Sequence, residues 1–143
     1  MIELFANIDV DNLERAVDFY SRALGLKVGR RLEAFGAVEM VGASSKIYLL
    51  ERTAGTTSSA GSLTQRNYQR HWTPVHLDFV VDDLDTAVQR AQAAGATLET
   101  KTEAQEWGRL ALMADPFGHG FCLLQFIGRG YDEIAKSSRK QVS

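Results

Sequence analysis

Residues 10–20 read VDNLERAVDFY, and most of this stretch returns as VDDLDTAVQR at residues 81–90. A shift of 71 residues gives five identical matches: Val10 with Val81, Asp11 with Asp82, Leu13 with Leu84, Ala16 with Ala87, and Val17 with Val88. Solenoid proteins repeat every 20–50 residues or so, and more than twice. A repeat of half the chain instead predicts two copies of one unit, with any ligand site between or across them.

The first copy, residues 1–52, has the pattern strand, helix and three further strands. Residues 2–10 alternate apolar and polar side chains, as a strand does. Asp11 or Asn12 can cap a helix with apolar residues at helical spacing, which Gly25 then ends. Three short segments separated by turn residues are predicted as strands, at about residues 27–32, 35–41 and 46–52.

The second copy, residues 74–130, follows a polar stretch without periodicity at residues 53–73. That stretch has the composition of a linker, and the sequence leaves open whether it is a mobile lid or a plain connector. Asp82 or Asp83 can cap the second helix. The elements predicted for this copy are strands at residues 75–81, 97–102, 107–114 and 120–127 and a helix that ends at Gly95. A C-terminal tail, residues 131–143, begins with about one helical turn.

The composition excludes several classes of function. The 143 residues have a formal net charge of −2 and no basic stripe, apart from a short cluster at residues 136–140, so nucleic acid is not expected as a partner. No apolar run reaches the roughly 20 residues needed to span a membrane, and the N-terminus lacks the pattern of a signal peptide. The single cysteine, Cys122, excludes an internal disulfide and favours a cytoplasmic location.

Three motifs, LERAVDFY at residues 13–20, LGL at 24–26 and DPFGHG at 115–120, resemble the vicinal oxygen chelate superfamily. Its members include glyoxalase I, extradiol dioxygenases, fosfomycin-resistance enzymes and bleomycin-resistance proteins. The resemblance covers roughly residues 2–127. It implies an α+β fold in which two tandem β-α-β-β-β units make one domain, residues 1–130, with a U-shaped half-barrel cleft. It also implies a homodimer.

In the metal-dependent members of this superfamily, each unit contributes a histidine from its first strand and a glutamate from its last. Carried onto this chain, the four positions fall on Phe5, Leu49 or less favourably one of its neighbours, His76 and Cys122. Because phenylalanine and leucine cannot bind an ion, we expect no metal and no other cofactor. If a metal were bound, His76 and Cys122 would hold it together with Glu51, or with His71 or Asp78.

The expected ligand-binding residues follow from the same alignment and from strand alternation. They are Phe5, Asn7, Leu49, His76, Asp78, Trp107, Arg109 and Cys122, whereas Tyr48 is expected in the core. Trp107 could stack on a flat or cationic ligand and Arg109 could clamp an acidic group, or the two could be a rim aromatic and a surface charge. His76 could act as a base or as a hydrogen-bond donor, or simply form part of the wall.

Three functions remain open at this point. The preferred one is a metal-independent protein of the glyoxalase/bleomycin-resistance type that holds an amphipathic small molecule in the cleft between the units. The alternative is a metal-dependent lyase or isomerase related to glyoxalase I, with an altered ligand set and Glu51 or Asp78 as the base. A third is a protein with an inactive cleft that acts through its partner surface.

Overall fold

The computed structural model describes residues 1–136 and contains the two predicted units. Unit one consists of β1 (Phe5–Val10), α1 (Leu13–Leu24), β2 (Lys27–Leu32), a 3₁₀ turn (Glu33–Phe35), β3 (Ala37–Val41) and β4 (Lys46–Glu51). Unit two consists of β5 (Leu77–Val80), α2 (Leu84–Ala94), β6 (Thr97–Leu98), β7 (Glu103–Gln105), β8 (Gly108–Ala114) and β9 (Gly120–Phe126). A second 3₁₀ turn, Gly130–Glu133, lies where the sequence predicts a helical turn at the start of the tail.

The two sheets have the same topology. In unit one the order is β1-β4-β3-β2, and in unit two it is β5-β9-β8-β6, with β7 also paired to β8. The first strand of each unit runs parallel to the last, and the other pairs are antiparallel. The fold is therefore α+β, with two open sheets, as predicted.

Both helices begin and end where the repeat predicts. Asn12 caps α1 by accepting a hydrogen bond from the backbone N–H of Arg15, and Asp83 caps α2 in the same way through Thr86. Gly25 and Gly95 end the helices in the left-handed conformation, at φ values of 71° and 119°. The helices pack against each other and against one face of each sheet, so the two units share a single hydrophobic core.

One predicted strand is broken. Within the segment at residues 97–102, Thr97 and Leu98 form the short strand β6, and the next strand, β7, begins only at Glu103. Just after β6, the carboxylate of Glu99 lies 2.8 Å from the Nε atom of Arg70 in the linker. Neither helix of residues 1–136 is long and apolar enough to cross a membrane. The basic cluster predicted at residues 136–140 lies outside the described residues from position 137 onward.

Candidate functional site

Each sheet has one face covered by the helices and one that is not, which we call the open face. In unit two, Phe79 of β5 and Phe121 and Leu123 of β9 pack in the core beneath the helices, and Leu77 lies on the same face of β5 as Phe79. The residues between them therefore point to the open face, because side chains alternate along a strand. This places Asp78 and Cys122 side by side, with His76 two residues before Asp78 on the same face.

His76, Asp78 and Cys122 form a compact cluster on this open face. His76 Nε2 lies 3.1 Å from Asp78 Oδ1, and one ligand atom from each of the three residues lies within 4.8 Å of the others. Burial, reinforced by the charge of Asp78 and a hydrogen bond to it, raises the pKa of the Cys122 thiol to about 11. The raised pKa favours the protonated thiol of Cys122 at neutral pH over a reactive thiolate.

The matching positions of unit one are Phe5 and Tyr48, so the placement of Leu49 in the cleft is wrong. In the parallel pair of β1 and β4, Asn7 lies opposite Tyr48 and Ile8 lies opposite Leu49. Leu49 is fully buried in the core, at 0% exposure. The ring of Tyr48 instead packs edge-on against Phe5 on the open face, with centroids 5.3 Å apart. The alignment was one residue out, and a shift of one residue moves a strand's side chain to the other face.

A buried carboxylate that the sequence reasoning missed occupies the open face of unit one. Glu39 of β3 accepts hydrogen bonds from Tyr48, at 2.8 Å, and from the guanidinium of Arg30, at 2.7 Å from Nη2. Arg30 and Tyr48 together hold the pKa of Glu39 down to about 2. Gly29 leaves room for this carboxylate, since a Cβ atom there would lie 2.5 Å from Glu39 Oε1. Its signal in the sequence was a lone acid between apolar residues of a strand.

Trp107 and Arg109 are not in the cleft, contrary to expectation. The Trp107 ring packs against Phe126 and Tyr131, with centroid distances of 5.9 and 5.2 Å, in a separate aromatic cluster. Arg109 turns to the helix side and pairs with Asp85 of α2 at 2.7 Å. Trp107 and Arg109 therefore have the alternative roles that the sequence left open, a rim aromatic and a surface charge.

Glu51 and His71, two candidates for completing a metal site, lie outside the cluster. Glu51 Oε2 accepts a hydrogen bond from the backbone N–H of Leu13 at 2.9 Å, and Gln125 does the same for Leu84 in unit two. Each helix thus gains one hydrogen-bond acceptor for a backbone N–H group of its first turn, where no partner within the helix exists. His71 Nδ1 lies 2.9 Å from the carbonyl oxygen of Gln69 in the linker. Of the sequence candidates, Asp78 is the one that joins His76 and Cys122.

A cavity of about 720 Å³ separates the two units. It lies between β1 and the segment that leads into β5. Its apolar wall includes Phe5, Ile8, Leu77, Phe79 and Phe121. Its polar lining includes Asn7, Asp9, Tyr20, His76 and His119. Since residues of β1 from both faces line it, the cavity runs between the two first strands and reaches the core.

Two buried polar contacts fix one end of this cavity. Tyr20 of α1 donates a hydrogen bond to Asp115 in the turn before β9, at 2.5 Å. Burial first, and then the charge of Asp115, raises the pKa of the Tyr20 hydroxyl well above its usual value. The ring of His119 donates from Nε2 to the backbone oxygen of Asp9, at 2.6 Å. Neither contact could be predicted from local sequence patterns, because the two residues of each pair are 95 and 110 positions apart in the chain.

A smaller cavity of about 210 Å³ lies over the open face of unit two. His76 lines both cavities, and Cys122, Leu112 and the linker residues Arg70 and Trp72 line the smaller one. Earlier in the linker, Arg66 forms an ion pair with Asp9 of β1, at 2.7 Å. The linker is thus attached to unit one and contributes to the wall of unit two.

The side chains at the superfamily's metal-ligand positions show whether each unit could bind the metal ion. Unit one offers Phe5, which has no donor atom, and Tyr48, whose hydroxyl already bonds to Glu39. A site that takes ligands from both units therefore does not fit this chain. Unit two supplies one nitrogen, one oxygen and one sulfur donor, from His76 directly before β5, from Asp78 of β5 and from Cys122 of β9.

The comparisons with known proteins agree with this architecture. The glyoxalase-like domain family matches residues 6–124. An uncharacterized protein of Mycobacterium bovis is 32% identical over 143 residues, which cover 96% of this chain and 93% of that protein. A glyoxalase/bleomycin resistance protein/dioxygenase from Nocardioides has a TM-score of 0.62 at 19% identity, covering 91% of this chain and 86% of the other. An antibiotic-binding protein from Streptomyces has a TM-score of 0.63 at 21% identity, covering 89% and 97%.

Proposed function

Because the chain belongs to the glyoxalase-like domain family of the vicinal oxygen chelate superfamily, we propose that it is a small-molecule-binding protein. Its ligand is amphipathic and lies in the cavity between the two units. The observation that carries this proposal is the cavity itself, at about 720 Å³ with an apolar wall and a few convergent polar groups. Sites for small molecules in proteins have volumes of about 300–1,000 Å³ and this kind of lining.

The cavity lining has an apolar part and a polar part, which can bind the two ends of an amphipathic ligand. Ile8, Leu77 and Phe79 offer apolar surface toward the core. Several polar groups already have partners, since Tyr20 bonds to Asp115, His119 to Asp9, and Asp9 to Arg66. Asn7 and His76 are exposed and line the same cavity, so they are the polar side chains best placed to bind a ligand's polar end. The likeness in fold to an antibiotic-binding protein supports a ligand of small-molecule size.

We propose that this binding needs no metal. The wall of the inter-unit cavity carries no carboxylate from β4, and the first-strand position of unit one is Phe5. The alternative function, a metal-dependent lyase or isomerase related to glyoxalase I, is favoured by one observation, the cluster of His76, Asp78 and Cys122. In that case Asp78 would have to be both a ligand and the base, because Glu51 caps a helix outside the cluster.

We also propose that the protein is a cytoplasmic homodimer and that it binds neither nucleic acid nor membranes. The mouth of the inter-unit cavity supports the dimer, since Leu4, Phe5 and Val75 there are 72%, 42% and 79% exposed. Clusters of exposed apolar side chains mark interaction surfaces. Light scattering coupled to size exclusion tests this point, and a monomer at micromolar concentration would refute the dimer.

Thermal unfolding with a panel of amphipathic compounds, in the presence of a chelator, tests the binding proposal. A ligand at 100 times its Kd stabilises the folded state by about 2.7 kcal/mol, which raises the melting temperature by several degrees. Val75→Trp should weaken ligand binding, raising the apparent Kd at least about tenfold, since a bulky ring at the mouth of the cavity obstructs entry. Leu63→Trp is the matched control, because Leu63 is 99% exposed in the linker and lines neither cavity.

Two results would contradict the proposal. If no compound stabilises the protein, the cleft does not bind small molecules, and a role through the partner surface is favoured instead. If stabilisation appears only after a divalent metal is restored, binding depends on a metal and the lyase or isomerase alternative is favoured.

A further inference from the structure

We propose that His76, Asp78 and Cys122 form a binding site for one thiophilic divalent ion of the zinc class, built within unit two alone. This site shares His76 with the wall of the proposed ligand cavity and goes beyond the proposed function. Because ligand binding is tested in the presence of a chelator and ion binding without a ligand, the two proposals can fail independently.

Strands β5 and β9 place two of the donors, Asp78 and Cys122, and His76 lies in the segment directly before β5. His76 and Asp78 lie two residues apart on one face, and Cys122 lies opposite Asp78 on the neighbouring strand β9. His76 Nε2 and Asp78 Oδ1 are 3.1 Å apart, and all three ligand atoms lie within 4.8 Å of one another. Ligand bonds of about 2.0–2.3 Å to zinc require only small side-chain movements from this arrangement.

The donor types select the ion. Thiolate and imidazole favour zinc and similar borderline or soft ions, whereas magnesium and calcium prefer sets made of oxygen atoms. Three protein ligands with a fourth position open are the pattern of a zinc site that accepts water or another small ligand. Here the smaller cavity, of about 210 Å³, lies beside His76 and Cys122 and can accommodate that fourth ligand.

This set differs from the one that the superfamily resemblance implies. That set takes a histidine and a glutamate from each unit, and unit one offers only Phe5 and Tyr48 at its two positions. The Tyr48 hydroxyl lies 2.8 Å from Glu39 Oε2, and Glu39 also binds Arg30, so this network is complete without an ion. Asp78, which stands two residues after the first-strand position, supplies the third ligand instead.

The charges balance when the ion binds. The Cys122 thiol releases its proton to solvent as the sulfur–metal bond forms, and His76 binds as the neutral imidazole. The thiolate and the Asp78 carboxylate then carry two negative charges against the two positive charges of the ion. The nearby cation in the cavity wall, Arg70, is already paired with Glu99, at 2.8 and 3.0 Å, so it does not oppose the ion.

Titration of the metal-free full-length protein with Zn²⁺ against a competing indicator, and with Co²⁺ as a spectroscopic probe, tests the site. We expect one ion per chain and a thiolate-to-cobalt charge-transfer band. Cys122→Ser should abolish that band, and His76→Gln and Asp78→Asn should each weaken Zn²⁺ binding at least about tenfold, a loss that outer-shell changes alone can produce. His71→Gln is the matched control, because it removes a histidine of the linker outside the cluster.

Circular dichroism of each variant shows whether its fold is retained before affinities are compared. Absence of stoichiometric binding to the wild-type protein would overturn the proposal. A cobalt spectrum unchanged by Cys122→Ser, or an affinity unchanged by His76→Gln or Asp78→Asn, would overturn the three-ligand set. An equal loss in His71→Gln would show that surface histidines, rather than the cluster, bind the ion.

Discussion

Replacing Leu49 with alanine tests the register of β4, on which the description of the open face depends. Leu49 is fully buried and packs in the core beside Ile8 and Val38, its neighbours on β1 and β3. Leu49→Ala should therefore destabilise the protein strongly. Leu50→Ala removes the same atoms from the next residue, which is half-buried and points to the open face.

The expected size follows from the burial. Three carbon atoms leave the core, a loss of about 2.4 kcal/mol at roughly 0.8 kcal/mol for each buried methylene. A residual cavity of about 50 Å³ adds about 1.2 kcal/mol at 24 cal/mol per Å³. We expect Leu49→Ala to lower the free energy of unfolding by about 3–4 kcal/mol and Leu50→Ala by about 1 kcal/mol.

Urea unfolding followed by far-UV circular dichroism measures both values, with equal m-values confirming that the same transition is compared. If Leu49→Ala cost less than about 1 kcal/mol while Leu50→Ala cost more, Leu49 would face the cleft after all. The assignment of Tyr48 as the equivalent of Cys122 would then be wrong.

Two further predictions concern buried polar groups. Tyr20→Phe should destabilise the protein by about 2 kcal/mol, because it removes a hydrogen bond to the buried carboxylate of Asp115; a change below about 0.5 kcal/mol in urea unfolding would show that the contact is not formed. Folding lowers the pKa of Glu39 from 4.5 to about 2, so its ionised form stabilises the protein above pH 4.5 or so, and that contribution is lost as the pH falls toward 2. Glu39→Gln should therefore be less stable than the wild type at pH 7 and show a weaker loss of stability between about pH 4.5 and 2. Identical pH profiles of the unfolding midpoint in the two proteins would contradict this reasoning.

The scaffold could be predicted from the sequence because its signals are local. The helix caps Asn12 and Asp83 and the terminating glycines Gly25 and Gly95 lie within a few residues of the ends they determine. Because the same signals occur in both units, the helix boundaries predicted in one unit support those predicted in the other. The family motifs fall in these same stretches, which explains why they identify the fold more clearly than the site.

The register of β4 could not be predicted from alternation. Residues 47–50 read Ile-Tyr-Leu-Leu, so both faces of this strand carry large apolar or aromatic side chains. Nothing in such a run says which face is covered by the helices, and an error of one residue exchanged Leu49 for Tyr48. The signal that could have decided it is Glu39, whose buried carboxylate needs a hydrogen-bonding partner on the neighbouring strand.

Other misplaced residues depend on distant partners. Arg109 turns to the helix side, where it meets Asp85 of α2, and Trp107 packs on Tyr131 at the start of the tail. The side chains of Tyr20 and Asp115 meet across 95 positions of sequence. Local patterns carry no information on such pairs, so the part of the site that rests on them becomes visible only when the two units are packed together.

The asymmetry of the two open faces gives the proposed amphipathic ligand a preferred orientation. Unit one presents Phe5 at the cavity, with Tyr48 behind it bonded to Glu39 and Arg30. Unit two presents His76 at the corresponding position, beside Asp78. Because Phe5 offers an apolar ring and His76 offers ring nitrogens that can form hydrogen bonds, the apolar end of the proposed ligand should lie against Phe5 and the polar end near His76. In the proposed function, the repeat supplies two similar scaffolds, and the difference between Phe5 and His76 at their matching positions would provide the recognition.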